Sequence, residues 1–522
     1  MKNTHSYFTI FLLLAVSFTS CRKSEQDIGT VLFREFRNPV LKETGPAEIA
    51  PYLERMLREK KLKHGKLIAA FYQGRGYSPV LLKKYLPGEG LGTLIGYLEK
   101  AGEHGLNPAL FQPGQIRRLQ DSLSNEESVS TPEAAAPLVA ELELQVAASL
   151  AAYGNALQFG FTNPADIFPR YYIETTRPDS TSLTKMFAAS DLEALLDSIQ
   201  PTGNAYKALQ DALAGSGTGK THLAGAGDNK ETENTDTPGT AASDHSAPAD
   251  KDSSGAGEVR RRALLANLER LRWKNKPEKE KYVLVNIADF RLHVVENGVP
   301  GLNMKVCVGE PAKRWQTPQL NSLIERVQVN PIWHIPESIA SNEIIEKAAA
   351  DPYYLENSNI DVYKNGEIVA DSREIDWESV SQEDLPYSFK QRPGSQNALG
   401  KIKFLFDNQS SVYLHDTPAK AAFDQDMRAV SHGCVRVEKP LELAHALFGN
   451  GNKFEMIKTE MGRDNPEARN IELSQQVPVY LVYATCWLDN EGNIQYRPDV
   501  YGLDKIVVSH LQAEDNGPPP SR

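Results

Sequence analysis

The spacing of apolar and polar positions changes several times along the chain. An apolar run at 8–18 opens it, preceded by Lys2. At about a dozen residues it is short for a membrane span, which needs roughly 20, so residues 1–20 read as an export segment. From 45 to 211 apolar side chains recur at three- and four-residue spacing, as in 51–58 and 91–100. The stretch 137–157 is rich in Ala, Leu and Glu, and this whole region is predicted to be helical. Residues 212–258 are mainly Gly, Ala, Ser, Thr, Asp and Glu and contain no aromatic residue. Such a segment buries too little surface to offset its ordering entropy and is predicted to be a disordered linker. A helical pattern resumes at 259–278 and leads into alternation of period two. Strands are predicted at 281–288, 290–296, 302–309 and 323–329, with Asn297-Gly298 as a hairpin turn. Repeated short strands between Gly and Pro turns indicate a β-rich sandwich or barrel. Helices first and strands later make the whole a multidomain α+β protein.

Residues 337–394 interrupt the strand pattern, with a helical stretch at 338–349 followed by polar sequence holding Trp377 and Tyr387. That is long for a plain loop and predicts a substructure of its own, whose two aromatics either floor a groove or pack internally. Beyond a β-containing element at 459–511, the residues 512–522, with three consecutive prolines, are predicted to be disordered.

Composition narrows the function. A net charge of -11 argues against a broad nucleic-acid-binding face. The cysteines are Cys21, Cys307, Cys434 and Cys486. Small residues precede Cys21 in Ser17-Phe18-Thr19-Ser20-Cys21, which resembles a bacterial lipoprotein cleavage box, with Phe18 an unusual occupant. Lipidation of Cys21 would make 21–44 a membrane tether. An odd number of cysteines then remains, so no disulfide framework uses them all. Residues 214–221 match a relaxed phosphate-loop pattern, but a helix precedes them and polar low-complexity sequence follows, so no nucleotide site is expected.

The candidate chemistry lies in 413–436. Tyr413-Leu414-His415-Asp416-Thr417-Pro418 is followed by Arg428 and by Ser431-His432-Gly433-Cys434-Val435-Arg436. A cysteine nucleophile needs a base within hydrogen-bond reach and a third group that fixes that base. His415, near the end of a predicted strand, is the candidate base, and the turn Ser431-His432-Gly433 presents Cys434 to it. Gly433 lets backbone N–H groups converge where an oxyanion would develop. His432 is expected to shape the turn. Tyr413 shares the face of His415. Arg428 and Arg436 are candidates for a substrate carboxylate, Arg428 the weaker of the two. A thiolate–imidazolium pair and a neutral couple both satisfy the motif, and burial would favour the neutral one.

These residues resemble the signature of the YkuD-type L,D-transpeptidases, and the run from Gln391 to Gly400, with Lys403-Phe404, is similar to the large multidomain YcbB-like branch. The resemblance implies a YkuD-type catalytic sandwich at 279–458, a capping subdomain at 337–394, and a helical scaffold at 45–211. It also implies that Arg436 orients the site and that a backbone carbonyl, rather than Asp416, holds the histidine. The implied partners are peptidoglycan stem peptides, a donor tetrapeptide and an acceptor stem. Cys434 would take the acyl group, releasing D-Ala, and a second stem's amine would complete a 3→3 cross-link. Water (a carboxypeptidase) or a protein lysine could resolve the thioester instead, and a wall-associated scaffold without activity is the remaining reading. Acylation of Cys434 by carbapenem-type β-lactams follows from the same thiol, and no metal or other cofactor is implied. The expected location is the periplasm of a Gram-negative bacterium, anchored through Cys21 with the outer membrane as the expected site.

Overall fold

The structure, a computed structural model, describes residues 27–215, 253–273, 279–464 and 466–512. The expected export segment, Cys21, and all but the first two residues of the phosphate-loop look-alike lie outside the described residues.

The described part of Met1–Ile95, with Gly114–Ala148 and Phe187–Leu192, is one compact unit, and it is helical. The period read from the sequence has a direct counterpart here. Pro46–Glu59 buries Ile49 and Leu53, and Gly65–Gln73 buries Ile68, Phe71 and Tyr72. The helix Val80–Tyr85 begins after Pro79, whose side chain cannot cap it. Glu143 supplies the missing acceptor: its carboxylate receives the Leu81 and Leu82 amides at 2.8 Å each and the Tyr72 hydroxyl at 2.5 Å. Burial pushes this carboxyl up to about 6. Glu143 belongs to Pro132–Phe159, the one helix among the described residues long and apolar enough to cross a membrane. With 67% of its most apolar stretch buried, and a fully buried carboxylate tied to protein amides, it has the character of a core helix.

The second unit comprises Gly96–Pro113, Ser149–Met186 and the described part of Glu193–Arg522. Its sheet is built from β1 (Tyr171–Tyr172), β2 (Lys281–Asn286), β3 (Arg291–Glu296), β4 (Val299–Gly309) and β5 (Gln319–Val329), and later β10 (Ile402–Phe406), β11 (Leu414–His415), β12 (Ala429–Ser431), β13 (Val435–Val437) and β14 (Arg469–Val482). The spatial order is β1-β5-β10-β11-β13-β4-β3-β2-β14, with β12 beside β4. On either side of a register shift between Glu472 and Val477, β14 pairs with β5, and its end pairs with β2 as well. The sheet thereby closes on itself, which removes open edges and gives the sandwich one continuous wall. Strand β1 was not expected: it lies inside the segment read as helical and pairs in parallel with the start of β5, Tyr171 opposite Gln319. Two residues are too few to carry a period.

Between β5 and β10 the chain forms a second, four-stranded sheet in the order β6-β9-β7-β8, from β6 (Trp333–Ile335), β7 (Ile360–Lys364), β8 (Glu367–Ile368) and β9 (Tyr387–Gln391). It has its own core, including Ile335, Ile344, Leu355, Val362, Trp377 and Phe389. Trp377 is buried, and its indole N–H donates to the Ser372 carbonyl at 3.1 Å, so it packs this subdomain rather than flooring a groove.

The helix expected from residue 259 begins at Ser253, and the helix Leu503–Gln512 lies at the end of the segment expected only as a β-containing element. The hairpin β15 (Cys486–Leu488) and β16 (Ile494–Tyr496) packs with the Ser253–Arg272 and Asn204–Leu213 helices around Cys486, Leu264 and Leu209.

Candidate active site

Strand register assembles the site. On β10 and β11, Lys403 stands opposite His415; on β11 and β13, which run parallel, His415 stands opposite Arg436; on β13 and β4, Arg436 stands opposite Cys307. Paired residues share a face, so Lys403, His415, Arg436 and Cys307 form a row across the sheet. Two positions earlier on the same face, the Val435 amide donates to the Tyr413 carbonyl at 3.1 Å, which sets Cys434 level with Tyr413. Tyr413 donates toward the Cys434 sulfur from both its amide and its phenol, and its ring lies 5.6 Å from that of His415.

His415 is buried, and its Nδ1–H donates to the Asp416 carbonyl oxygen at 2.5 Å. That bond fixes the tautomer and leaves Nε2 as the basic nitrogen. The Asp416 carboxylate is engaged elsewhere, accepting from the Lys401 amide at 2.9 Å and from Lys420 Nζ at 2.6 Å. It packs so close to Gly400, at φ 60°, that a Cβ there would stand 2.4 Å from the Asp416 carboxyl carbon. A glycine is needed at this crossing.

The turn before the thiol is held from three sides. Ser431 Oγ donates to the Cys434 carbonyl at 2.6 Å and accepts the Gly433 amide at 3.1 Å. Gly433 has φ 115°, a conformation few other residues adopt. Its own N–H, expected to face an oxyanion, is therefore engaged by Ser431, and its contribution is the shape of the turn. Thr317 Oγ1 donates to the Gly433 carbonyl and accepts from the Gly309 amide, both at 2.9 Å. The Tyr501 hydroxyl donates to the Gly309 carbonyl at 2.6 Å and accepts the Thr317 amide at 3.2 Å. His432 Nε2 pairs with the Glu343 carboxylate of the small subdomain at 2.5 Å, and its ring stands perpendicular to that of Trp315 with centroids 4.5 Å apart.

Arg428, the weaker candidate for a substrate carboxylate, is held by the main chain. It is buried and donates to three main-chain carbonyls, of Val306, Gln425 and Phe290, with its guanidinium over the Phe290 ring. It staples β12 to the sheet, with three of its five N–H donors engaged by the main chain. Arg436 is half-buried and makes no hydrogen bond or ion pair among the described residues. The same holds for Lys403, which sequence reading passed over and whose ammonium lies 5.4 Å from the Tyr413 ring centre. Thr317, Tyr501 and Glu343 were missed as well.

The electrostatics follow from burial. Cys434 keeps some exposed surface, but the protein packed around its thiol pushes the pKa up, against the Tyr413 donors and the Arg436 and Lys403 charges. Burial, reinforced by the Arg436 charge, pushes His415 down to about 3. Both shifts favour the uncharged forms, so at neutral pH the site holds a thiol and a neutral imidazole. Cys307 and Cys486 are buried free cysteines with thiols also pushed up by burial. Among the described residues no group of three or more His, Cys, Asp or Glu is arranged to hold a metal ion.

Residues 280–448, which contain the strands from β2 to β13, match the model of the YkuD L,D-transpeptidase catalytic domain. The chain carries a YkuD-type catalytic domain within a larger multidomain protein. Residues 66–213 match the model of a scaffold domain, so a helical N-terminal region precedes the β-rich YkuD domain, and further elements follow it. A Haemophilus influenzae protein with the provisional name L,D-transpeptidase is 35% identical over 244 residues, covering 47% of this chain and 48% of that protein. The chain thus spans about half the length of that relative. A solved L,D-transpeptidase from Mycobacterium smegmatis overlaps 39% of this chain and 58% of its own at 12% identity. Its TM-score of 0.20 is too low to bear on the fold.

Proposed function

We propose that the YkuD domain of this protein is an acyltransferase that cross-links peptidoglycan stem peptides through a Cys434 thioester. The Cys434 sulfur attacks the carbonyl that joins the third stem residue to a terminal D-Ala, while the thiol proton passes to His415 Nε2. The tetrahedral oxyanion is received at the turn, where the Cys434 amide is the donor we assign because Ser431 engages that of Gly433. Collapse breaks the C–N bond, and the D-Ala amine leaves with the proton returned by His415. A side-chain amine of a second stem then attacks the thioester, gives its proton to His415, and expels the sulfur, which is reprotonated. His415 thus serves in turn as base and acid, as a neutral buried imidazole can.

What supports this reading is that the strand register sets Cys434 and His415 on neighbouring strands, both uncharged, with His415 fixed by the Asp416 carbonyl and the turn at Cys434 held by Ser431. In the same reading Cys434 is the site of acylation by carbapenem-type β-lactams, and Cys21 is the lipid attachment of an exported, membrane-anchored protein. The test is to incubate the purified protein with a disaccharide tetrapeptide and analyse products by mass spectrometry. Free D-Ala together with a 3→3 dimer is the expected result. D-Ala with a tripeptide alone would assign resolution to water, and unchanged substrate would refute acyl transfer.

A further inference from the structure

Several buried cations around this sheet have counter-charges. Arg272 pairs with Glu269 at 2.7 Å, Arg270 with Asp504 at 2.6 Å and Arg497 with Asp289 at 2.5 Å. Arg428 is matched by three carbonyls. Lys403 and Arg436 break this pattern: they lie on the two sides of His415 in the same cross-strand row, and neither has a hydrogen bond or an ion pair among the described residues. Removing a cation from water without a partner is costly, and the cost here falls on two neighbours of one sign. The Tyr413 ring beneath Lys403 orients the ammonium, but a cation–π contact leaves its hydrogen-bonding capacity unused.

We propose that Lys403 is a specificity-determining residue which, together with Arg436, seats the free α-carboxylate of the acyl donor's carboxyl-terminal residue. The inference rests on the proposed acyl transfer at Cys434 and goes beyond it by assigning the residue that selects the donor's end. In a peptide cleaved before its last residue, the α-carboxylate is three covalent bonds from the scissile carbonyl carbon. A group that close to the reacting centre falls beside the thiol, where both cations already act on Cys434 through space. One guanidinium fork and one ammonium make a two-sided seat for a single carboxylate. Partial burial, which lowers the Lys403 pKa, makes the bound carboxylate more valuable to the site than it would be in water.

The test uses the Cys434→Ala protein, which cannot turn substrate over, and two probes: a stem tetrapeptide ending in free D-Ala and the same peptide as its C-terminal carboxamide. The expected result is that the acid binds at least ~10-fold more tightly than the amide, the scale of a charge-assisted hydrogen bond. Adding Lys403→Met should shrink that ratio below about threefold, and Lys403→Arg should retain most of it. In the Cys434 protein, Lys403→Met should raise KM for the acid with little change in kcat. A thermal melt of each variant separates lost seating from lost folding, and the Arg variant keeps the test decisive if the Met variant is unstable. The proposal is overturned if the parent does not discriminate acid from amide, or if Lys403→Met weakens both probes equally. It is also overturned if the acid-to-amide ratio survives Lys403→Met. Discrimination without any D-Ala release by the Cys434 protein would support the seat and refute the acyl-transfer reading; normal release without discrimination would do the reverse.

Discussion

Two buried polar centres in the second unit look alike in their histidines and differ in everything around them. In the first, Arg272 donates to Glu269 through Nε and Nη2 at 3.0 and 2.7 Å, and through Nη1 to the Tyr206 hydroxyl and the His104 carbonyl at 2.8 Å each. Glu269 also accepts from the Thr162 amide and hydroxyl and from the Trp273 indole. His104 Nδ1 meets the Tyr206 hydroxyl at 3.0 Å, and burial pushes it down to about 4. In the second, burial pushes His415 down to about 3, but two cations and a thiol beside it have no protein counter-charge. A shifted histidine therefore marks burial in both places. What separates a closed structural network from a working site is the bonding capacity that the protein leaves unused.

Five outcomes would sharpen or break that contrast, from the largest effect down. Cys434→Ala should remove acylation entirely while the melting temperature stays within a few degrees; retained acylation would place the chemistry elsewhere. Glu269→Ala should do the opposite, destabilising the fold by roughly 3–5 kcal/mol because it strands a buried Arg272, with the alkylation rate of Cys434 in the folded protein unchanged. A denaturant titration beside iodoacetamide kinetics reads both quantities. If the alkylation rate fell in step with stability, the two centres would not be independent.

Acid should act through both centres. The folded values of about 4 for His104 and about 3 for His415 lie below the free imidazole value of about 6.5. Between those limits the unfolded chain binds more protons, so stability rises with pH across the window and is lost as pH falls through it. From about pH 7 to about pH 4.5, His104 alone should account for roughly 2–3 kcal/mol of lost stability. Urea midpoints for His104→Gln should show a correspondingly shallower decline, and an unchanged slope would contradict the assignment. In the catalytic centre His415→Ala should lower acylation by at least ~100-fold and should likewise flatten the loss of stability toward acid pH. The smallest effect belongs to the half-exposed His432–Glu343 pair. Glu343→Gln should change the acylation rate by no more than about fivefold, since such pairs contribute about 1 kcal/mol or less.

Much of the site was legible because its residues are close in sequence. Tyr413, His415, Ser431, Gly433 and Cys434 fall within one motif, and two adjacent parallel strands set Tyr413 and His415 beside the segment that carries Cys434. The same proximity misled for Arg428, whose direction is set by carbonyls on β4 and before β3, out of reach of any local pattern. Lys403 was hidden for the converse reason. In Ile402–Phe406 it reads as an ordinary polar position of an alternating strand, and only the pairing with His415 identifies the face it occupies. Thr317 and Tyr501 reach the turn through hydrogen bonds from 116 and, via Gly309, 192 residues away in sequence, and such bonds leave no periodic trace. At the level of folds, the helical and strand-rich halves were legible from their periods. The two-residue strand β1 and the closure of the sheet through β14 were not, because both depend on long-range register.

The most direct measurement is the intact mass of the protein, followed by peptide mapping, after rapid mixing with a donor tetrapeptide and acid quench. The predicted result is a single adduct equal to the donor less D-Ala, on the peptide containing Cys434, absent from Cys434→Ala and slowed at least ~100-fold in His415→Ala. Release of D-Ala with no adduct at Cys434, or with the adduct at Cys307 or Cys486, would contradict it.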